Sequence, residues 1–227
     1  MPQICAIFAV ETNRTSREAQ IMLRDFMNRR DEERQMKQAG RLPPGQSLTQ
    51  KFPVLHYGPV PQIDLKTWRL SVFGEVEREM NWTWDEFCQI PTTIITTDIH
   101  CVTGWSKFDT TWEGPLFRDF IKLFGVKPTA KYVIAHAAYG FTANLPLEVM
   151  LEDNVLLAWK YNGELLEPEH GFPVRTLVPQ RYFWKSAKWL LKLEFSAVDK
   201  PGFWEQAGYH NEGDPWKEER YQRQRFF

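Results

Sequence analysis

Cysteine is scarce in this chain: 227 residues hold three, Cys5, Cys88 and Cys101. Scattered and without a CxxC pair, they make neither a disulfide framework nor a zinc clip, and so point to a reducing compartment, the cytoplasm. Long apolar runs are lacking too. The run near the N-terminus, Ile4 to Val10, has no basic residue before it and is too short and wrongly flanked for a secretory signal or a membrane span. No twin-arginine export signal is present. Charge of one sign is missing as well, since 28 Lys and Arg face 29 Asp and Glu for a net charge of −1, which argues against a nucleic-acid coat. The patterns GxGxxG, GxxxxGK[ST] and GxSxG do not occur, so no fingerprint supports a dinucleotide, a P-loop nucleotide or a serine nucleophile elbow.

Aromatic residues are plentiful, at 15% with ten Trp. They fill cores, and they also line concave sites for flat ligands. Residues 15–38, "TSREAQIMLRDFMNRRDEERQMKQ", lack Gly and Pro, open on Thr15 and Ser16 before Glu18, and become almost wholly charged after Met27. This predicts a solvated helical arm, broken by the Gly- and Pro-containing linker "GRLPPGQSLTQKFP".

From residue 66 the pattern turns β-rich. Leu70, Val72 and Val76 alternate in "TWRLSVFGEV", "TTIITT" is β-branched, and "KYVIAHAAY" and "KSAKWLLKLEF" read as further strands, the last with Trp189, Leu191, Leu193 and Phe195 on one face. Asn162-Gly163 in "LLAWKYNGELL" predicts a hairpin turn. Short helices are expected in "WTWDEFCQI", "PLFRDFIKLFG" and "LPLEVMLE". The irregular alternation of strands and helices predicts an α+β fold rather than a doubly wound sheet.

Two stretches carry chemistry. In "TTDIHCVTGWSKF", Cys101 falls in the loop leaving a β-prone run, where a thiolate serves as a soft metal ligand or a nucleophile. The competing reading is a small buried hydrophobe, which is also the reading for Cys5 and Cys88. His100 is adjacent, but His56, His136, His170 and His210 are scattered, so zinc is disfavoured. Downstream, "HGFPVRTLVPQRYFWKSAKWL" gathers His170, Arg175, Arg181, Lys185 and Lys188 with Ser186 among aromatic residues. Such a segment suits an anionic group attached to a flat ring, or else is a solvated basic strand edge.

Together, "DIHCVTGWS", "WEGPLFRDFI" and the 170–190 segment resemble the molybdopterin-binding domain of the sulfite oxidase family, which includes the bacterial protein-methionine-sulfoxide reductase catalytic subunit. The likeness runs from "PVLHYGPVP" through "KLEF", and the tail "PGFWEQAGYHNEGDPWKEERY" is similar to that of short bacterial members. The resemblance implies a mixed, β-rich sulfite-oxidase-type fold with short peripheral helices. It divides the chain into an arm and linker over 1–45, the molybdopterin-binding domain over 46–200, and an irregular aromatic tail packed on it over 201–227.

It also implies a molybdenum oxidoreductase that transfers an oxygen atom to or from a small substrate, with electrons exchanged with a separate partner. Cys101 is then the protein's ligand to molybdenum, and His170, Arg175, Ser186, Ala187 and Lys188 hold the pterin and its phosphate. Lys185, His56, Tyr57 and either His136 or Ala137 are further implied contacts. Trp105, Tyr139 and Lys185 are expected at the substrate mouth. The stretch after Cys101 reads Val102, Thr103, Gly104, Trp105, Ser106 and lacks the paired arginines that bind sulfite in animal and plant relatives. A b5-type haem domain and a dimerisation domain are likewise not found in the sequence. The alternative reading is a non-catalytic module that binds molybdopterin or another phosphorylated ring.

Overall fold

A computed structural model describes Arg24, Met27, Asn28 and residues 30–222. Cys5 and the expected helix start at Thr15 and Ser16 lie outside the described residues. The chain divides into the compact units Met1–Pro43 and Pro44–Phe227. In the first, residues 30–38 are helical and mostly exposed, as their charge dictates. Gly40, at φ 68°, ends that helix, with the Arg41 N–H donating back to the Met36 carbonyl at 2.8 Å.

In the second unit the strands are β1 (Ser47–Leu48), β2 (Arg69–Gly74), β3 (Met80–Thr83), β4 (Thr93–His100), β5 (Trp105–Gly114), β6 (Tyr132–Ala137), β7 (Thr142–Pro146), β8 (Leu156–Ala158), β9 (Lys160–Tyr161), β10 (Glu164–Leu165), β11 (Arg175–Leu177) and β12 (Leu190–Ser196). One sheet has the order β3-β2-β12-β6-β7, with β2 and β12 parallel. Another has the order β1-β5-β9-β10, with β4 antiparallel to β5, and β11 pairs with β8 separately. Four single-turn helices accompany them: α1 (Trp84–Phe87), α2 (Phe117–Phe120), α3 (Leu147–Met150) and α4 (Phe203–Gln206). The first three fall in the segments where helices were expected. The strand-rich mixture is the α+β fold that the sequence predicts.

Local chemistry accounts for the boundaries. Thr83 and Glu86 form a reciprocal capping box at the start of α1. Asn162 and Gly163, at φ 49° and 85°, turn the chain between β9 and β10 at the predicted hairpin. In β12 the expected alternation slips. A bulge between Leu190 and Lys192 puts Leu190, rather than Leu191, fully inside with Leu193 and Phe195. Trp189 leaves the strand at φ 56°.

Two apolar clusters form the core of this unit. One gathers Leu70, Val72, Val133, Leu145, Leu193 and Phe195 with Phe117 and Phe120. The other gathers Ile99, Trp112, Leu116, Leu156 and Leu177, with Phe52, Trp105 and Phe183 packed on it. Among the described residues, no helix is long and apolar enough to cross a membrane. Leu193 pairs with Val72 on one side and Ala135 on the other and is fully buried. Leu193→Ala is therefore expected to cost ~2–5 kcal/mol, read as a lower urea midpoint with an unchanged m-value.

Candidate functional site

Between these elements lies a cavity of about 330 Å³. Its walls come from the segment after β1, the β4–β5 loop, the turn before β11, the run between Phe183 and Trp189, and the tail.

Cys101 is the first residue beyond β4 and is 7% exposed. Its N–H donates to the Trp105 carbonyl at 2.8 Å, and its own carbonyl accepts from Gly104 N–H at 3.0 Å. Gly104 adopts φ 97°, a conformation that L-residues rarely take, and this lets the loop double back so tightly. The Thr103 hydroxyl donates to Cys101 Sγ at 3.2 Å. Burial pushes the thiol pKa up, and the Thr103 hydrogen bond works against that push. Gln46 Nε2 donates to the Cys101 carbonyl at 3.1 Å and Gln46 Oε1 accepts from the Ser106 hydroxyl at 3.2 Å. His100 Nδ1 lies 2.8 Å from Ser106 Oγ, and burial lowers its pKa to about 4. His100 thus braces the strand ends and does not line the cavity.

Arg175 opens β11, and its side chain is almost wholly buried. Its guanidinium donates to the carbonyls of His170 and Ser186, each at 2.8 Å, and to that of Thr176 at 3.4 Å, and it lies 4.2 Å over the Phe183 ring. Burial lowers its pKa to about 9. Lys188 Nζ donates to the carbonyls of Leu55 and Glu169, each at 2.7 Å. Burial, and then the neighbouring Arg175, lower the Lys188 pKa to about 7. Among the described residues no carboxylate forms an ion pair with either cation.

Gly171, at φ 115°, sits between them: a Cβ there would fall 3.1 Å from the Lys188 side chain and 3.2 Å from that of Arg175. His170 stacks on Phe52 at 3.9 Å with the rings 8° apart. Burial lowers its pKa to about 4, with Arg175 and Lys188 adding to the effect, so it is neutral near pH 7. The cavity therefore offers a buried thiol, a buried guanidinium and a half-buried lysine that form no ion pair among the described residues, and aromatic walls.

A family model described as "Oxidoreductase molybdopterin binding domain" matches residues 57–204. The chain belongs to this family. It is 49% identical over 189 residues to the uncharacterized oxidoreductase YuiH of Bacillus subtilis, covering 83% of this chain and 96% of that one. It is 31% identical to the putative protein-methionine-sulfoxide reductase subunit YedZ1 of Azospira oryzae, covering 74% of this chain and 64% of that one. A nitrate reductase of Ulva prolifera is 29% identical, with 66% of this chain and 21% of that one covered. In fold the chain is similar to the sulfane dehydrogenase SoxCD from Paracoccus pantotrophus, with TM-score 0.58, 24% identity, and 63% and 41% of the two chains covered. The protein is a molybdopterin-binding oxidoreductase, and molybdenum with molybdopterin is its cofactor.

The residues present fit that cofactor. A buried guanidinium and a half-buried lysine, neither in an ion pair, suit its phosphate, the aromatic lining suits its flat ring system, and a thiol suits its soft metal. Of the positions that the family resemblance implies, His56, Tyr57, Cys101, His170, Arg175, Ser186, Ala187 and Lys188 all line the cavity, as do Trp105 and Tyr139. Arg175, however, spends its fork on backbone carbonyls, so it contributes charge and holds the wall in place. Ser186 Oγ likewise accepts from Val178 N–H at 2.9 Å.

His136 and Lys185 do not line the cavity. His136 projects from β6 to Glu194, at 3.0 Å. Ala137, the alternative to it, is buried in the first core cluster. Lys185 is fully buried, 2.6 Å from Glu205 Oε1, and donates to Asn144 O and Oδ1 at 2.8 and 3.0 Å. Trp184 Nε1 also donates to Glu205 Oε1, at 2.8 Å. Because Trp184 and Trp204 line the cavity, this ion pair lies behind its wall. Sequence reading missed Phe52, Trp204 and Tyr209; the dense aromatics of the tail were the available signal. Cys88, expected to be buried, is a half-exposed free thiol.

Two outcomes are expected. Lys185→Met strands the buried Glu205 carboxylate and should cost ~3–5 kcal/mol in urea denaturation. The second concerns Lys188, which is neutral above about pH 7 in the folded, cofactor-free protein and charged below it. An anion pairs with the charged form, so sulfate should raise the Tm of cofactor-free protein more at pH 6 than at pH 8, where Arg175 still keeps its charge. In Lys188→Met this pH difference should vanish.

Proposed function

We propose that the protein transfers an oxygen atom between a small uncharged substrate and the molybdenum centre, with Cys101 as the metal's protein ligand. The observation that carries this reading is the presence of a buried thiol in the same cavity as two cations that form no ion pair among the described residues. When bound, the cofactor supplies the metal at which an oxygen atom and an electron pair are exchanged. The protein's part is to hold and to exclude. Arg175 and Lys188 face the phosphate, with Lys188 offering its remaining N–H. Phe52, His170 and Trp189 wall the ring. The Cys101–Trp105 turn fixes the thiolate, with Thr103 as its hydrogen-bond donor.

A neutral substrate follows from charge. The cations lining the cavity, Arg175 and Lys188, are engaged by backbone and by the cofactor, and the residues after Cys101 add none. A desolvated sulfite dianion would find no further cation on the cavity wall, since Arg220, spent on the Val102 and Gly45 carbonyls, does not line it. The mouth is instead formed by Leu55, Tyr57 and Tyr139, all largely exposed, beside Trp105 and Trp204. YedZ1 is named a subunit of a methionine-sulfoxide reductase, which supports a neutral sulfoxide as substrate and a separate protein for electron exchange. Free thiols at Cys88 and Cys101 suit a reducing compartment, and we place the protein in the cytoplasm.

Protein purified from a molybdopterin-competent host is expected to contain near-stoichiometric molybdenum and, after release and oxidation, fluorescent pterin. Cys101→Ser should retain pterin and lose turnover, whereas full molybdenum-dependent turnover in that variant would remove Cys101 from the metal. With an artificial electron donor, dimethyl sulfoxide should be reduced, and sulfite should not be oxidised when an artificial acceptor replaces the donor. Loaded protein that never cycles between metal oxidation states would favour a non-catalytic carrier.

A further inference from the structure

Arg220 lies beyond residues 57–204 of the family match, yet it reaches the loop that carries Cys101. Its Nη1 donates to the Val102 carbonyl, and its Nη2 donates to the Gly45 carbonyl at 3.0 Å. Gly45 belongs to the segment just before β1, and β1 itself pairs in parallel with Trp105 and Ser106 at the far end of the same loop. A Cβ on Gly45, which sits at φ 65°, would fall 2.5 Å from Glu218 Oε1 and 2.8 Å from Arg220 Nη2, the ends of two flexible side chains that pair with each other. The Cys101 turn is thus gripped from two directions, by Gln46 on the Cys101 carbonyl and by Arg220 on the next one.

The tail that brings Arg220 there is itself fastened. Tyr209 and Tyr221 form a bridge, the Gln222 N–H donates to the Gly208 carbonyl at 2.9 Å, and Gln222 Nε2 donates to the Glu205 carbonyl at 3.0 Å. Glu205 is the partner of the buried Lys185. The guanidinium also lies 5.1 Å over the Tyr182 ring, which limits its swing.

We infer that Arg220 is a positioning residue for the molybdenum site: it fixes the turn that presents Cys101 and holds a positive charge beside the metal–thiolate bond. The inference rests on the proposed role of Cys101 as a metal ligand. A nearby cation stabilises the more electron-rich state of any group it faces, so it should raise the metal's reduction potential. The geometric and electrostatic parts separate chemically, because Lys keeps the charge but has no planar fork to span two carbonyls.

The test uses wild-type, Arg220→Met and Arg220→Lys holoproteins, compared by molybdenum and pterin content, Mo(V) electron paramagnetic resonance and redox titration. Arg220→Met should keep pterin, broaden the Mo(V) signal and shift the midpoint potential to lower values. Arg220→Lys should broaden the signal while the potential stays near wild type. A loaded Arg220→Met protein with wild-type signal and potential overturns the inference. If Arg220→Met does not fold, Arg220→Lys decides: a broadened signal supports the inference and a wild-type signal overturns it. Folded wild-type protein without molybdenum overturns the reading of Cys101 and this inference with it, and that outcome is distinct because it appears before any substitution is made.

Discussion

A buried arginine and a half-buried lysine beside one cavity, with no carboxylate in ion-pair contact among the described residues, set the terms for the rest of the site. Desolvating a charge costs several kcal/mol unless other dipoles replace the water. Here the replacement is backbone. Arg175 takes three carbonyls and Lys188 takes two, from Leu55, Glu169, His170, Thr176 and Ser186. These carbonyls have to converge on one place, which is why a left-handed glycine at position 171 and neighbouring runs at 168–178 and 183–190 are knit together. The backbone satisfies the N–H groups but leaves the charge, which in the proposed reading a phosphorylated pterin would balance.

The thiol end of the cavity is built on the opposite principle. The Cys101 turn is held largely by neutral hydrogen bonds, from Gln46, Thr103 and Gly104, and by strand pairing on both sides, and its charged donor, Arg220, lies 3.9 Å from Glu218 Oε1. Burial favours the neutral thiol, and in the proposed reading the metal would replace its proton. The Lys185–Glu205 pair behind the aromatic wall serves neither end directly. It ties α4, and with it Trp204, to the sheet through Asn144. The segment after residue 200 thereby becomes part of the cavity.

Much of this was legible in the chain. Alternation announced β2, β-branched and apolar runs announced β4 and β6, and Asn162-Gly163 announced its hairpin, because those signals are local. The position of Cys101 just past a β-branched run placed it in a loop. What local pattern cannot carry is direction. His136 and Lys185 have the residue types that the family resemblance asks for, but alternation along β6 turns His136 to Glu194, and the turn before Ser186 drives Lys185 into Glu205. The bulge in β12 moved Leu190 inward and freed Trp189 for the cavity. Phe52, Tyr209 and Arg220 reach the site from segments far away in sequence, joined only by packing, so no spacing rule exposes them.

Molybdenum K-edge extended X-ray absorption fine structure on the purified holoprotein would decide whether Cys101 binds the metal. A sulfur shell that holds a thiolate beyond the pterin's dithiolene pair is expected, with that extra scatterer lost in Cys101→Ala. A shell fitted by the dithiolene alone, identical in the wild-type and Cys101→Ala proteins, would contradict it.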